Sequence, residues 1–435
     1  MSLFSTYGLS PDLLAAIEAS GYVTPTPIQE QALPVVLAGQ DVMGLAQTGT
    51  GKTAAFVLPM LQRFLKGPKG KVRGLIIAPT RELAEQIHET IRALGKRTGI
   101  RSVTVYGGVN INTQIRNLRQ GADIVVACPG RLLDHLGQGT LSLDGIEVLV
   151  LDEADHMFDM GFLPDIRRVL KQVPAVRQTL LFSATMPEDI RRLANAILKN
   201  PVILEVSNTR PVDAITHAIF PVKSHLKTDL LFALLKRTDT KSILIFTKTK
   251  HRAKSLDLKL QSLGYKSASL QGNLSQNRRQ EALNGFRTGQ YQIMVATDIA
   301  ARGIDISLVS HVINYDVPDT PEAYTHRIGR TGRASRTGDA FTFVTPEDSG
   351  ALRGIERRLG APIPKQFIDD FNYDALPDKK PEFPRAPRPP RGPGKSRRQS
   401  SGFSGKSDNP RSSHSSNGPR KPGSSNKPKP KPRFR

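Results

Sequence analysis

Short apolar runs alternate with longer stretches of mixed polarity along most of this chain. Leu75-Ile76-Ile77-Ala78, Ser102 to Tyr106, Asp123 to Val126, Val148 to Leu151 and Thr179 to Phe182 read as strands. Val148-Leu149-Val150-Leu151 has no polar member, the pattern of a strand buried on both faces. Helical stretches such as Glu82 to Leu94 and Pro187 to Leu198 fall between the runs. Strand and helix in alternation imply a parallel sheet covered on both sides. The pattern lapses at Ser207 to Asp213, then restarts with Ser242 to Phe246, Ser267 to Leu270, Ile293 to Ala296 and His311 to Asn314. The predicted architecture is α/β, with two tandem parallel-sheet domains, 1–206 and 218–373, and a linker at 207–217.

Beyond residue 374 the pattern ends. Pro, Ser, Gly, Lys and Arg dominate, with 12 prolines after Lys380. Such a segment cannot bury enough apolar surface to offset its ordering entropy, so 374–435 is expected to be a disordered tail. It is also where the charge sits. Lys379 to Arg435 carries 17 Lys and Arg against 2 Asp and Glu, a net +15 of the total +23, leaving +8 for the preceding 378 residues. A basic excess of this size points to a polyanionic partner. The alternative for the tail is a solvated segment with no dedicated partner.

The remaining composition excludes several classes. One cysteine, Cys128, rules out an intramolecular disulfide and fits a reducing compartment. The first basic residue is Lys52, so neither a basic leader nor an Arg-rich transit peptide is expected. No apolar run approaches the ~18 residues of a membrane span. The expected compartment is the cytoplasm, with a nuclear address in the basic tail left open.

The candidate chemistry lies at strand tips. Asp152-Glu153-Ala154-Asp155 follows Val148 to Leu151 directly, placing two carboxylates where α/β folds bind ligands. Ala46-Gln47-Thr48-Gly49-Thr50-Gly51-Lys52-Thr53 follows Asp41 to Leu45 and opens a helix, as a phosphate loop does. Its glycines let backbone N–H groups curl around phosphate oxygens. Lys52 can reach the β- and γ-phosphates, and Thr53 can ligate Mg²⁺. Ala46 stands where the usual pattern has glycine. Asp152 is the expected Mg²⁺ ligand and Glu153 the expected base or water-positioning group. The bland reading, an acidic helix start and a Gly/Thr-rich turn, does not account for both motifs together.

Ser183-Ala184-Thr185 follows on the next strand, and with these three motifs the chain resembles a DEAD-box RNA helicase of superfamily 2. Other segments match in order: Gly21-Tyr22-Val23-Thr24-Pro25-Thr26-Pro27-Ile28-Gln29, Pro79-Thr80-Arg81-Glu82-Leu83-Ala84, Gly107-Gly108 and Pro129-Gly130-Arg131. In the second half come Gln276-Asn277-Arg278-Arg279, Ala296-Thr297-Asp298, Arg302-Gly303-Ile304-Asp305 and His326 to Arg333. The compact core with a basic tail is most similar to the bacterial RhlE-type branch.

The resemblance implies two RecA-like domains and an ATP site with Mg²⁺ split between them. Phe4, Tyr22 and Gln29 would surround the adenine, and Thr48, Gly49, Thr50, Gly51, Lys52 and Thr53 the phosphates. Gly303 and Asp305 would border the ribose. Arg330 and Arg333 would be arginine fingers, groups that stay charged and bind phosphate bidentately. For Arg327 a structural role competes with a direct one. His326, Ser183 and Thr185 would couple hydrolysis to domain movement, although Ser183 and Thr185 also suit helix caps before Pro187.

RNA would lie across both domains on Thr80, Arg81, Gly108, Gly130, Arg131, Arg279 and Thr297, with Gly303 adjoining. Glycine backbones and hydroxyls read no bases, so binding should be largely sequence-independent. Cys128 departs from the Thr usual in the family, and a thiol donates more weakly. Its expected role is that of a small buried hydrophobe. The implied activity is RNA-stimulated ATP hydrolysis with local unwinding of short duplexes or remodelling of RNA–protein complexes. An ATP-gated RNA clamp or annealing chaperone shares every motif. A DNA-translocating relative is disfavoured by Gln29 together with Asp-Glu-Ala-Asp. A monomer without membrane association is expected, working with ribosome-assembly or RNA-decay proteins.

Overall fold

The computed structural model describes residues 3–46, 49–206, 215–238, 241–301, 309–331 and 338–376. Two all-parallel sheets form within one compact unit. The first contains β1 (Val42–Leu45), β2 (Gly74–Ile77), β3 (Ser102–Val105), β4 (Ile124–Ala127), β5 (Val148–Leu151), β6 (Gln178–Ser183) and β7 (Val202–Glu205). Its spatial order is β3-β4-β2-β5-β6-β1-β7. The second contains β8 (Ile215–Pro221), β9 (Ile243–Phe246), β10 (Ser267–Leu270), β11 (Ile293–Ala296), β12 (His311–Asn314) and β13 (Gly338–Val344), in the order β10-β11-β9-β12-β13-β8. Every named strand pair is parallel, so helices must cross over between strands. The α/β class with two tandem parallel sheets, expected from the alternation, is what forms.

Side-chain alternation explains why the central strands are apolar throughout. Ile76, Val126, Val150 and Phe182 face one core, while Leu75, Val125, Leu149 and Leu181 face the other. The same split divides Ile245 and Val295 from Leu244 and Met294 in the second sheet. A strand with both faces covered gains nothing from polar residues, so its sequence reads as a continuous run.

Three strands escaped the pattern: β7, β8 and β13. β7 and β8 are outer strands, β7 largely exposed and β8 interrupted by Thr216 and His217, and β13 opens on Gly338 and Asp339. None of them carries an unbroken run of four apolar residues. Two boundaries move in consequence. β8 begins at Ile215, inside the interval expected as linker, of which 207–214 lies outside the described residues. At the other end, residues after the last helix return to β8. The Ile219 N–H donates to the Pro364 carbonyl and the Gln366 N–H to the Ile219 carbonyl, both at 2.9 Å. Lys223 then pairs with Asp374 at 2.9 Å, and His225 Nε2 reaches the Ala375 carbonyl at 2.8 Å. Residues 374–376, assigned to the tail by composition, therefore belong to the second domain. The remaining tail, 377–435, lies outside the described residues. No helix among the described residues is long and apolar enough to cross a membrane.

β1 carries the phosphate loop and leaves no spare volume beside it. A Cβ added at Gly44 would lie 2.5 Å from Cδ1 of the fully buried Phe182. That ring is itself packed on Phe56, 5.5 Å between centroids. Overpacking of this kind costs about 1–3 kcal/mol. Gly44→Ala should lower the urea midpoint of the first domain accordingly; an unchanged midpoint would mean that Phe182 has room to move.

Candidate active site

β6 lies between β1 and β5, so the loops leaving the C-terminal ends of all three emerge side by side. The β1 loop ends at Gly51, the N-cap of the helix Lys52–Phe64, at φ 91°. A side chain there would meet Gln29 Nε2 at 2.6 Å and Thr26 Oγ1 at 2.9 Å, so glycine is required twice over. Gln29 is fully buried. Its Oε1 accepts from the Thr26 N–H and its Nε2 donates to the Gly51 carbonyl, each at 3.0 Å. The side chain expected at adenine thus also braces the phosphate loop against the helix Pro27–Leu37. Beside it, Thr26 and Gln29 form a capping box at the start of that helix. Lys52 Nζ donates to the Ala46 carbonyl at 2.8 Å, spanning the loop. Gly49 and Thr50 lie in the loop before Gly51, and Thr53 in the first turn of the helix. Phe4 is buried, with its ring edge-on to half-buried Tyr22 at 6.3 Å.

β5 delivers Asp152 and Glu153 at 2 % and 3 % exposure. Glu153 caps the helix Ala154–Asp159 from a left-handed conformation, φ 53°, ψ 53°. That region costs an ordinary residue about 1–2 kcal/mol. The two carboxyl groups are pushed apart electrostatically. Burial drives Asp152 up, against the pull of Lys52 and with reinforcement from Glu153 and Asp155. Burial acts the same way on Glu153, but His156, Lys52 and Arg330 outweigh it and hold that carboxyl well below the usual range. Glu153 therefore stays ionised.

The last acid of the tetrapeptide ties β5 to β6. Asp155 Oδ2 accepts from the Ala184 N–H at 3.1 Å, the Thr185 N–H at 2.8 Å and the Thr185 hydroxyl at 3.0 Å. Ser183 Oγ accepts from the Asp155 N–H at 3.2 Å and donates to the Thr185 carbonyl at 2.7 Å. The helix-cap alternative for Ser183 and Thr185 does not hold. The N-cap of Glu188–Ile197 is Pro187, and both hydroxyls are spent on this linkage.

The second domain closes over this edge. His156 Nδ1 lies 2.9 Å from Glu153 Oε2, and its Nε2 lies 3.5 Å from His326 Nδ1. Burial and the adjoining His156 ring hold His326 well below its ordinary value, so its imidazole is neutral. Arg330 is 5 % exposed, and its charge acts on Glu153. Arg327 serves the fold instead. Its guanidinium grips Asp298 at 2.6 and 2.7 Å, reaches the Asp316 carbonyl at 2.7 Å and lies over Phe246. Thr48, Gly303, Asp305 and Arg333 lie outside the described residues.

A groove of about 350 Å³ runs across both domains and is lined by Thr80, Arg81, Cys128, Gly130, Arg131 and Arg279 among others. Thr80 caps the helix Arg81–Leu94, and Cys128 precedes the helix Pro129–Gly137, so two positive helix ends open here. Gly108, at φ 82°, leaves room for Arg81; a Cβ would meet its Nη1 at 2.0 Å. Arg131 bonds the Val109 carbonyl at 3.1 Å and Gln114 at 3.3 Å. Arg279 differs from expectation. Its Nε pairs with Glu82 at 2.6 Å across the domain boundary, and Gln276 joins the same carboxylate at 3.2 Å. With further bonds to the Gln271 and Ala300 carbonyls, the guanidinium is committed to protein. Thr297 lies at the end of β11, beyond Ala296.

The DEAD/DEAH box helicase profile matches residues 26–193, and the helicase conserved C-terminal domain matches 226–335. The ATP-dependent RNA helicase CshA of Listeria monocytogenes is 46 % identical over 358 residues, 82 % of this chain and 68 % of that protein. The chain belongs to the DEAD-box family of ATP-dependent RNA helicases. The CshA of Geobacillus kaustophilus is 45 % identical, over 82 % of this helicase and 76 % of the relative. S. cerevisiae Dbp5 bound to RNA and ADP BeF3 superposes with a TM-score of 0.76 at 37 % identity, covering 85 % of this chain and 97 % of that one. A variant Dbp5 bound to nup159, gle1, IP6 and ADP gives 0.59 at 35 % identity, covering 83 % and 96 %.

Three residues of the helicase site were not anticipated from sequence. Asp155 completes the tetrapeptide but lies in the helix beyond the strand tip, where position alone marks no ligand. Glu82 sits inside a recognised motif, but its partner is 197 positions away. His156 follows the tetrapeptide with no pattern to mark it. Cys128 is half-buried against the first core, and burial with the nearby Glu82 pushes its thiol up to about 12, so it stays protonated. It makes no side-chain capping bond. Cys128→Thr should restore that cap, worth about 0.5–2 kcal/mol, and supply a hydroxyl to the groove. A higher unfolding midpoint together with tighter RNA binding is expected; neither change would mean that the hydroxyl finds no use there.

Proposed function

We propose that this helicase completes its hydrolytic site only when RNA and ATP draw the two domains together, and that it uses the cycle to open short duplexes or remodel RNA–protein complexes. The supporting observation is that Glu153 of one domain lies under the charge of Arg330 from the other, while Glu82 and Arg279 tie the same domains beside the groove. The better match to Dbp5 with RNA and ADP BeF3 supports a closed arrangement.

In this reading Gln29 offers adenine its remaining N–H and lone pair, the pairing glutamine makes with the N6/N7 edge. Tyr22 stacks on the base, backed by Phe4. At Gly51 a Cβ would collide with Gln29 and Thr26, a close approach that fits a backbone cradle for phosphate at this loop. Lys52 exchanges the Ala46 carbonyl for β/γ-phosphate oxygens. Asp152 and Thr53 would hold Mg²⁺; one carboxylate and one hydroxyl are hard oxygen donors that leave its other positions to phosphates and water. Bound there, Mg²⁺ neutralises phosphate charge. Asp152, driven up by burial, is suited to a cation beside it.

Glu153, kept ionised, accepts a hydrogen bond from the attacking water. The water oxygen bonds to the γ-phosphorus as the bond to the β,γ-bridging oxygen breaks. That electron pair leaves on ADP, and the water proton passes by way of Glu153 to the released phosphate. Arg330 and Arg333 hold the γ-phosphate oxygens, a contribution typically of about 10³–10⁵ in rate. Asp155, through Ser183 and Thr185, relays the changing occupancy of the site to β6. RNA phosphates lie on the two helix ends at Thr80 and Gly130, with Arg81, Arg131, Gly108 and Thr297 alongside. Arg279 acts as an interdomain clamp more than a phosphate ligand.

The RhlE-type branch is supported by the basic tail alone, since the relatives at 46 % and 45 % identity bear the name CshA. The working compartment is the cytoplasm, and the chain acts as a monomer among ribosome-assembly or RNA-decay proteins.

Glu153→Gln should retain ATP and RNA binding while lowering RNA-stimulated turnover by about 10²–10⁴-fold. Retained turnover would remove Glu153 from the hydrolytic role. RNA should stimulate the wild type more than DNA of equal length. Removal of 378–435 should flatten the dependence of RNA affinity on salt and spare the basal ATPase; an unchanged slope would make the tail a bystander.

A further inference from the structure

His156 is 3 % exposed and stands at the point where the domains meet, yet the hydrolytic scheme assigns it no task. Its ring has a partner on each side of the boundary. Nδ1 lies 2.9 Å from Glu153 Oε2. Nε2 lies 3.5 Å from His326 Nδ1, and the two imidazoles meet edge to face at 85°, centroids 5.0 Å apart.

The chemistry of the partners assigns the hydrogens. An ionised carboxylate can only accept, so His156 Nδ1 carries a hydrogen and donates to Glu153. The charge that His156 exerts on Glu153 and His326 places a hydrogen on Nε2 as well, which faces the lone pair of the neutral His326 Nδ1. The result is a bridge in which His156 joins His326 to Glu153. It begins in the second domain and ends on the hydrolytic carboxylate of the first.

Glu153 has particular need of such a hold. Its backbone lies in the left-handed region, outside the regular helix that would otherwise set its direction. A cavity of about 20 Å³ bounded by His156, His326 and Arg330 adjoins the pair, enough for one water.

We propose that His156 is a positioning residue for ATP hydrolysis: it orients the Glu153 carboxylate and transmits to it the arrival of His326, and with it domain closure. The proposal rests on Glu153 being the hydrolytic carboxylate.

The test is RNA-stimulated ATPase of the full-length chain bearing His156→Ala, His156→Asn or His156→Gln. Asn keeps an N–H near the Nδ1 position, facing Glu153. Gln places its amide near the Nε2 position, facing His326. Ala should lower kcat by about 10–100-fold, the cost of a misplaced reacting group, with KM for ATP nearly unchanged. Asn should recover about tenfold over Ala. Ala within twofold of the wild type would overturn the proposal, as would Asn no better than Ala. If Ala does not fold, the polar pair decides: Asn well above Gln supports the assignment, and equal rates overturn it. Glu153→Gln is measured alongside. If it keeps turnover, the hydrolytic reading fails and the proposal with it. If it loses turnover while His156→Ala does not, the role of His156 alone is lost.

Discussion

Three carboxylates buried within four residues at the end of β5 organise this molecule. Asp152, Glu153 and Asp155 are 2 %, 3 % and 4 % exposed. Removing an ion from water costs several kcal/mol even after relaxation, so each must be compensated where it stands. The compensation comes from three directions. Lys52 on the β1 loop acts on Asp152, the backbone and hydroxyl of the β6 loop satisfy Asp155, and His156 with Arg330 offsets Glu153. The order of the strands brings these groups to one edge, because β6 separates β1 from β5 by a single position.

Since part of that compensation belongs to the second domain, the electrostatics of the site depend on how the domains meet. Arg330 approaches Glu153 on one side of the contact, and Arg279 pairs with Glu82 on the other. The Glu82–Arg279 pair is itself buried, so separating the domains must rehydrate both charges. A contact of this kind is specific without being strongly adhesive, because desolvation cancels much of its Coulombic gain. That balance suits an interface that forms and breaks in each cycle. It also ties the nucleotide edge to the groove, since Glu82 follows Thr80 and Arg81 in the chain.

The sequence was informative where the physics is local. The fully buried run Val148–Leu151 appeared as β5 with its boundaries intact, and Lys52 opened a helix with Gly51 as its N-cap. Outer strands were less legible. β8 shows one flank to the returning segment after the last helix, so its residues follow no simple alternation, and the strand starts within the interval expected as linker. Composition placed the tail boundary at 374, but Asp374 and Ala375 are held by Lys223 and His225, about 150 residues earlier.

By itself the sequence determined which chemical groups are present and on which local element each one lies. Strand and helix periods repeat over a few residues, and a phosphate loop or a carboxylate pair is contiguous. Tertiary structure alone decided what those groups do to one another. It made Gln29 a brace for Gly51, paired Arg279 with Glu82 at the groove and set His156 between Glu153 and His326. The last two contacts join residues 197 and 170 positions apart, on helices of different domains. No periodicity reaches that far; such pairs exist only once two separately folded cores have packed together.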